Sequence, residues 1–457
     1  MATTLPLLRG TSISLENALT DDDSILHRLD YPQKQEEFWL HLLSHKHDIE
    51  ELVSFHVQVK HCRVADESDL FFGSYNVCIP VYVDLPSDER VLVRIPLPFK
   101  IGEANKPGNV EEKLRCKVAT YIWIHENRPT VPIPTLYGIA LPDGQTFAPA
   151  SSVSLLSRLQ WSITRTVQSW VGLPTTCPFV GLKRSNPLTT GYMIFSFVKK
   201  GQMLSDSWAA HLLKDKARRL RNRPLTLRLQ TFENEGIPTI PRDSTYQSVE
   251  PYILDILQCH DNRIYHQPNA VHDLNDGQEQ FAALTMMRGL LSQFMTRQYR
   301  NGPFVLTLTD LYPSNIFVDE NWHVTSLIDL EWACSFPVEL QTPPYWLSDR
   351  PIDDIEHGEN LQTFEKIINE FMDVFEEQYQ SQVASISQAQ IMRTCWEKGS
   401  YWYFQAVNSP KGLLRVFNEH IPRRFCEEHC TQRVFDQTVS PYWCVGAEEF
   451  NLVCQDM

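Results

Sequence analysis

The sequence predicts an α+β protein, with a β-rich stretch first and a larger, mostly helical stretch after it. Three observations predict this. Between residues 61 and 98, apolar β-formers recur in short runs broken by turn residues. Beyond residue 250, apolar positions recur at helical spacing. Residues 305–332, reading VLTLTDLYPSNIFVDENWHVTSLIDLEW, place a β-hairpin inside the helical stretch, with Asp319-Glu320-Asn321 as its turn. Folding that hairpin brings the residues before its first strand beside those after its second. Asp310, Asn315 and Asp329 are therefore expected to converge.

Taken in order, residues 1–60 read as an N-terminal extension with a helix over 33–56, where Phe38, Leu42, Ile49 and Leu52 supply apolar positions. Residues 61–198 read as the β-rich half. Gly73, Ser74, Tyr75 and Asn76 form a turn between short runs, residues 77–83 alternate partly like a strand, and RVLVRIPLP over 90–98 is a further strand carrying Arg94. A helix follows over 111–125. Prolines 132 and 134 fix an extended path into the next strand. Residues 148–188 read as an insertion with an amphipathic helix over 153–170, more in keeping with a cap on this half than with a substrate lid. Residues 192–198, containing Phe195 and Phe197, are a buried strand. Residues 199–457 read as the helical half, opening on a basic run (Lys214 to Arg223) expected to be a solvated helix face. Helices are expected over 250–258, 278–297, 361–380, 389–407 and 411–420, and the methionines of FAALTMMRGLLSQFM are expected as core filler.

The chain has 457 residues, 42% of them hydrophobic, which suffices for a substantial core. A formal net charge of −15 argues against nucleic acid or an anionic membrane as main partner, since phosphate-rich surfaces need clustered Lys and Arg. Eleven scattered cysteines suggest reduced thiols in an intracellular compartment. Cys426, His429, Cys430 and Cys444 form a loose group whose spacing matches no strong zinc pattern. The start, MATTLPLLRG, lacks the charged onset and long apolar core of a secretory signal, and no apolar run is long enough to span a bilayer. The expectation is a cytoplasmic protein with no membrane contact. Oligomeric state is not legible.

Two carboxylates and an amide oxygen, with no Cys or His among them, make a hard, oxygen-rich donor set that suits Mg²⁺ with Asn315 and Asp329 as ligands. Phosphoryl transfer needs such a site and one further carboxylate to orient the attacking hydroxyl. Asp-x4-Asn followed by an Asp 14 residues later, in the wording TDLYPSNIFVD…LIDLEWA, resembles the aminoglycoside phosphotransferase family and especially its fungal relatives.

The resemblance implies a bilobal protein-kinase-like fold, with a small antiparallel β lobe and a larger helical lobe. It also implies a phosphotransferase using ATP and Mg²⁺ on a small-molecule hydroxyl. On that reading Asp310 is the catalytic acid–base residue, Asn315 and Asp329 hold the metal, and Arg94 steadies the α and β phosphates. The turn Gly73, Ser74, Tyr75 and Asn76 covers those phosphates, and the strand with Phe195 and Phe197 holds adenine. Three departures stand against it. Leu308 replaces a His and Thr309 a Gly. Arg94 and Lys117 replace a Lys–Glu pair, so two cations repel unless Glu111 or Glu112 intervenes; Glu112 lies about 140° around the helix from Lys117. The alternative is a catalytically weak or inactive pseudokinase that serves as a binding module. A protein kinase proper fits less well, because no Ala-Pro-Glu segment follows. Aminoglycoside, choline-like, sugar and amino-acid acceptors all remain open.

Overall fold

A computed structural model describes residues 4–21, 24–83, 89–173, 175–184, 186–198, 202–203, 222–350, 352–355, 358–380, 388–425 and 431–443. By internal contacts the chain divides into two units, one of residues 30–203 and 314–332, the other of residues 1–29, 204–313 and 333–457. The α+β composition is as the sequence predicts: an antiparallel sheet dominates the first unit and helices the second. The expected N-terminal extension is shared between the units, and the hairpin strands Ile316–Val318 and Val324–Leu327 belong to the sheet-bearing one.

The main sheet has eight strands. Its order runs Cys62–Val64, Asn76–Val83, Arg90–Pro96, Tyr192–Ser196, Leu136–Ala140, Thr146–Pro149, Phe179–Leu182, with Phe71–Phe72 also paired to Asn76–Val83. The two-residue alternation of the central strands decides what each face carries. Val77, Ile79, Val81, Val83, Val91, Val93 and Ile95 share one buried core with Leu42, Ile49, Leu52 and Val53 of the helices Tyr31–Ser44 and Lys46–Val57. Arg94 lies between Val93 and Ile95 and so points to the opposite face, opposite Cys78 and Met193 in register. The helix expected over 33–56 is two helices, because the chain leaves helical geometry at His45 (φ −105°, ψ 20°).

Gly138 is needed where the Leu136–Ala140 strand meets the second of these helices. A Cβ at that position would sit 2.1 Å from the His56 ring, whose Nε2 lies 3.1 Å from the Tyr192 hydroxyl. Burial holds the His56 pKa down at about 4, with Arg184 adding to the effect.

The long helix Asn109–Asn127 begins on Gly108 in the left-handed conformation. Glu103 supplies the acceptors for its first free amides, taking the Gly108 N–H and the Val110 N–H at 2.7 Å each.

In the other unit, one core joins Tyr252, Ile253 and Leu257 of Val249–His266 with Phe281, Leu284 and Met287 of Leu274–Phe294. Phe364, Ile368, Tyr403, Phe404 and Phe417 complete it. Met287 is wholly buried there, as packing material. The helix expected over 389–407 is broken into Gln388–Lys398 and Ser400–Asn408 by Gly399, which has φ 72° and would place a Cβ 2.2 Å from the Arg424 guanidinium. The strands Phe304–Leu308 and Ala333–Pro337 pair antiparallel, with Leu308 opposite Ala333. The basic run 214–221 and the group Cys426, His429, Cys430 and Cys444 lie outside the described residues. Among the described residues, no helix is long and apolar enough to cross a membrane.

Candidate functional site

The hairpin in the sheet-bearing unit does what its sequence demands. Ile316 pairs with Leu327 and Phe317 with Ser326, while Asp319 Oδ1 closes the turn by accepting the Asn321 and His323 amides at 2.8 and 2.9 Å. The Ile328 N–H donates to the Asn315 carbonyl at 2.9 Å, so Asn315 and Asp329 sit at neighbouring positions on the two arms. Asn315 is buried. Asp329 has φ 58°, and its side chain is 27% exposed.

Asp329 opens onto a dense charge cluster. Its Oδ1 is ion-paired with Arg94 and lies 3.5 Å from Lys117 Nζ. Two residues on, Glu331 is fully buried and is the centre of the cluster. Its Oε2 accepts from Lys117 Nζ at 2.5 Å, and its Oε1 meets Arg94 Nη2 at 3.1 Å and Lys113 Nζ at 3.2 Å. Asn76 Nδ2 also donates to Glu331 Oε1, at 2.9 Å. Lys113 and Lys117 reach the same carboxylate because four residues make about one helical turn.

This corrects the expected repulsion between Arg94 and Lys117. The acids between them are Asp329 and Glu331, while Glu111 pairs along its own helix with Arg115 at 2.7 Å. The lysine stands on the helix and the acid follows the hairpin, so the polarity is reversed relative to the Lys–Glu pair the resemblance implies.

Burial alone would raise the Glu331 carboxyl, but Arg94, Lys117 and Lys113 together hold it well below the usual carboxylate range. For Lys113, burial is the largest influence and prevails over attraction to Glu331, giving a pKa of about 8. Burial would also lower Arg94, yet Asp329 and Glu331 raise it above its ordinary value. Three cations face two carboxylates. Asn76 Oδ1, Arg94 Nε and Lys113 Nζ have no hydrogen-bond partner among the described residues.

Of the remaining sequence candidates of this unit, the turn ending at Asn76 and Phe195 contact the cluster. In the turn Gly73 to Asn76, the Gly73 N–H donates to the Asn76 carbonyl at 2.9 Å. Ser74 is exposed at its tip, and the Tyr75 ring packs edge-on against Trp332 at 5.1 Å. Phe195 lies 5.5 Å from Lys117 Nζ and packs on Tyr121, while Phe197 stacks under Arg90 at 4.8 Å.

Asp310 belongs to the helical unit, at the end of the Phe304–Leu308 strand. Its charge acts on Tyr312, whose hydroxyl shares a short hydrogen bond with Tyr345 and whose ring is 6.4 Å from Trp346. Burial, Tyr345 and Asp310 in turn push the Tyr312 hydroxyl above its ordinary range. Glu339 is a buried acid. Its Oε2 accepts the Thr296 N–H at 2.8 Å, and burial lifts its pKa to about 7.

Arg94 and Lys117 occupy Asp329 Oδ1, which leaves the other oxygen of this partly exposed side chain for a cation, with Asn315 across the hairpin. The oxygen chemistry fits a hard divalent ion. The neighbouring cations favour such an ion only together with phosphate charge.

No protein-family model matches the chain, and no curated protein matches it. Among solved structures, a macrolide 2′-phosphotransferase type I is similar over 87% of this chain and 96% of its own, at 10% identity and a TM-score of 0.33. An ethanolamine kinase of Plasmodium vivax is similar over 85% of this chain and 84% of its own, at 12% identity and a TM-score of 0.29.

Proposed function

We propose that the chain is a nucleotide-dependent phosphotransferase acting on the hydroxyl of a small molecule, with ATP as donor. The observation that carries this reading is the cation surplus around Glu331: Arg94, Lys113 and Lys117 against Asp329 and Glu331, with polar atoms left over. Two carboxylates cannot neutralise three buried cations, and a phosphate oxygen supplies the missing negative charge.

In this reading Arg94 steadies the α and β phosphates. Glu331 holds Arg94 and Lys117 in place, as the helix acid does for the strand lysine in the family the sequence resembles. The Gly73 to Asn76 turn lies over the phosphates, and the strand bearing Phe195, with Phe197 just beyond it, takes the adenine. Asn315 and Asp329 hold Mg²⁺, which when bound spreads the charge developing on the transferred phosphoryl group. Asp310 orients the acceptor hydroxyl and takes its proton. Tyr312, Tyr345 and Trp346 give the acceptor an aromatic wall.

A second reading is favoured by one specific contact. Asp329 is already ion-paired with Arg94. A pseudokinase that never loads metal would keep that pair permanently closed.

Two measurements separate the readings. MgATP at millimolar concentration is expected to raise the melting temperature, because a ligand bound only by the folded state stabilises it. Asp329→Ala is expected to abolish the shift. A screen of hydroxyl-bearing metabolites for ATP consumption is expected to find an acceptor whose turnover falls at least a thousandfold in Asp310→Ala. A chain that shows neither shift nor turnover is the closed pseudokinase.

A further inference from the structure

We propose that the helix Leu155–Trp170 docks the protein on an anionic lipid bilayer, with its apolar face entering the headgroup region. The helix is mounted inside out. It buries none of its residues. Its polar side is what holds it to the sheet-bearing unit. Trp161 Nε1 donates to the Cys177 carbonyl at 2.7 Å, Arg165 Nη2 donates to Glu126 Oε1 at 2.7 Å, and Gln168 Oε1 accepts the Thr176 N–H at 2.7 Å.

Leu155, Leu156, Leu159, Ile163, Val167 and Trp170 are 51–85% exposed. At 3.6 residues per turn they fall within an arc of about 120°, on the side away from Trp161, Arg165 and Gln168. Helices of the other unit turn such faces inward, as Phe281, Leu284, Met287 and Leu291 do. An apolar face of this size turned to water points to a partner that covers it.

Charge selects the partner. Between Asp143 and Asp206 the chain has no Asp or Glu and carries Arg158, Arg165, Lys183, Arg184, Lys199 and Lys200, of which Arg165 and Arg184 are ion-paired with Glu126 and Glu51, within a protein of net charge −15. The total therefore hides a long cationic segment, and the expectation of no membrane contact followed from that total. Arg158 is exposed and flanks the apolar arc, where its stem can follow the apolar side chains while the guanidinium reaches a phosphate. Interfacial helices bind through this combination of a Leu- and Trp-bearing face and flanking cations.

The test is co-flotation of the full-length chain with phosphatidylcholine vesicles containing phosphatidylserine. The chain is expected to float with them, and less so as salt rises. Leu159→Ser combined with Ile163→Ser is expected to cut the bound fraction by roughly tenfold or more. Both side chains are exposed, so an unchanged melting temperature verifies that the variant is folded. No flotation of the native chain, or flotation unchanged in the double variant, overturns the proposal. So does a concentration-dependent dimer that the double variant dissolves while vesicles stay unbound; the face would then belong to a second copy.

Discussion

Each unit of this protein buries an arginine against a glutamate, and the two are built to different ends. In the helical unit, Arg223 meets Glu233 at 2.5 and 3.2 Å, and its Nη1 also donates to Thr239 and, at 2.7 Å, to the Ile240 carbonyl. Among the described residues, acceptors meet this guanidinium on several sides, and Thr239 donates to the same carboxylate. In the sheet-bearing unit, three cations crowd Glu331 and Asp329, and Asn76 Oδ1, Arg94 Nε and Lys113 Nζ make no hydrogen bond among the described residues, though Lys113 stays within ion-pair reach of Glu331. A closed pair is architecture. An unbalanced one is a place prepared for something else, because desolvated surplus charge is costly to keep unless a ligand uses it.

Breaking the comparison by acid should give the largest effect, and it tests burial apart from pairing. Burial holds the His260 pKa at about 3, although its hydrogen bond to the Val407 carbonyl works the other way. The unfolded chain takes this proton near pH 6.5. The folded value is depressed, so the contribution to stability is complete above about 6.5 and is lost as pH falls toward 3, roughly 4–5 kcal/mol in all. Urea unfolding at pH 7, 5 and 4 should show this slope, and His260→Gln should flatten it. His56 in the sheet-bearing unit, with a pKa of about 4, should contribute a smaller loss over a narrower window.

Next in size is Glu331→Gln. Removing the central charge leaves buried cations facing Asp329 alone, and is expected to cost about 3–5 kcal/mol in chemical denaturation. Adding Lys113→Met should recover at least ~1 kcal/mol of that loss, because one of the stranded cations goes with it. If Lys113→Met recovers nothing, the surplus is not felt as such.

Arg223→Met should cost about 3 kcal/mol by removing the guanidinium from a buried carboxylate, and here no nucleotide should restore it. The smallest effect sharpens the contrast most. MgATP at ten times its dissociation constant should add about 1.4 kcal/mol, a few degrees in melting temperature. The Arg223 variant should keep that shift and Lys113→Met should lose it.

Much of this was legible in the sequence. The strand carrying Arg94, the hairpin that sets Asn315 beside Asp329, and the order of β and helical regions all follow from local periodicity and turn chemistry. The partner of Arg94 and Lys117 did not. Glu331 was in plain view two residues after Asp329, and Lys113 one turn before Lys117. Yet the pairing of residue 117 with residue 331 is a long-range contact, and no local pattern encodes it. The helix 155–170 shows the same limit: its amphipathicity is written in the sequence, but which side meets the protein is decided by Glu126, Thr176 and Cys177.

Asp329 sits at φ 58°, a conformation that suits glycine, asparagine and aspartate and punishes a branched Cβ. The backbone therefore restricts what evolution or an experimenter can put there before any ligand is considered. Asp329→Asn keeps both shape and dihedral preference while deleting only the charge. Asp329→Glu, nominally the milder exchange, would set a longer side chain on a strained residue, and should prove the more disruptive of the two.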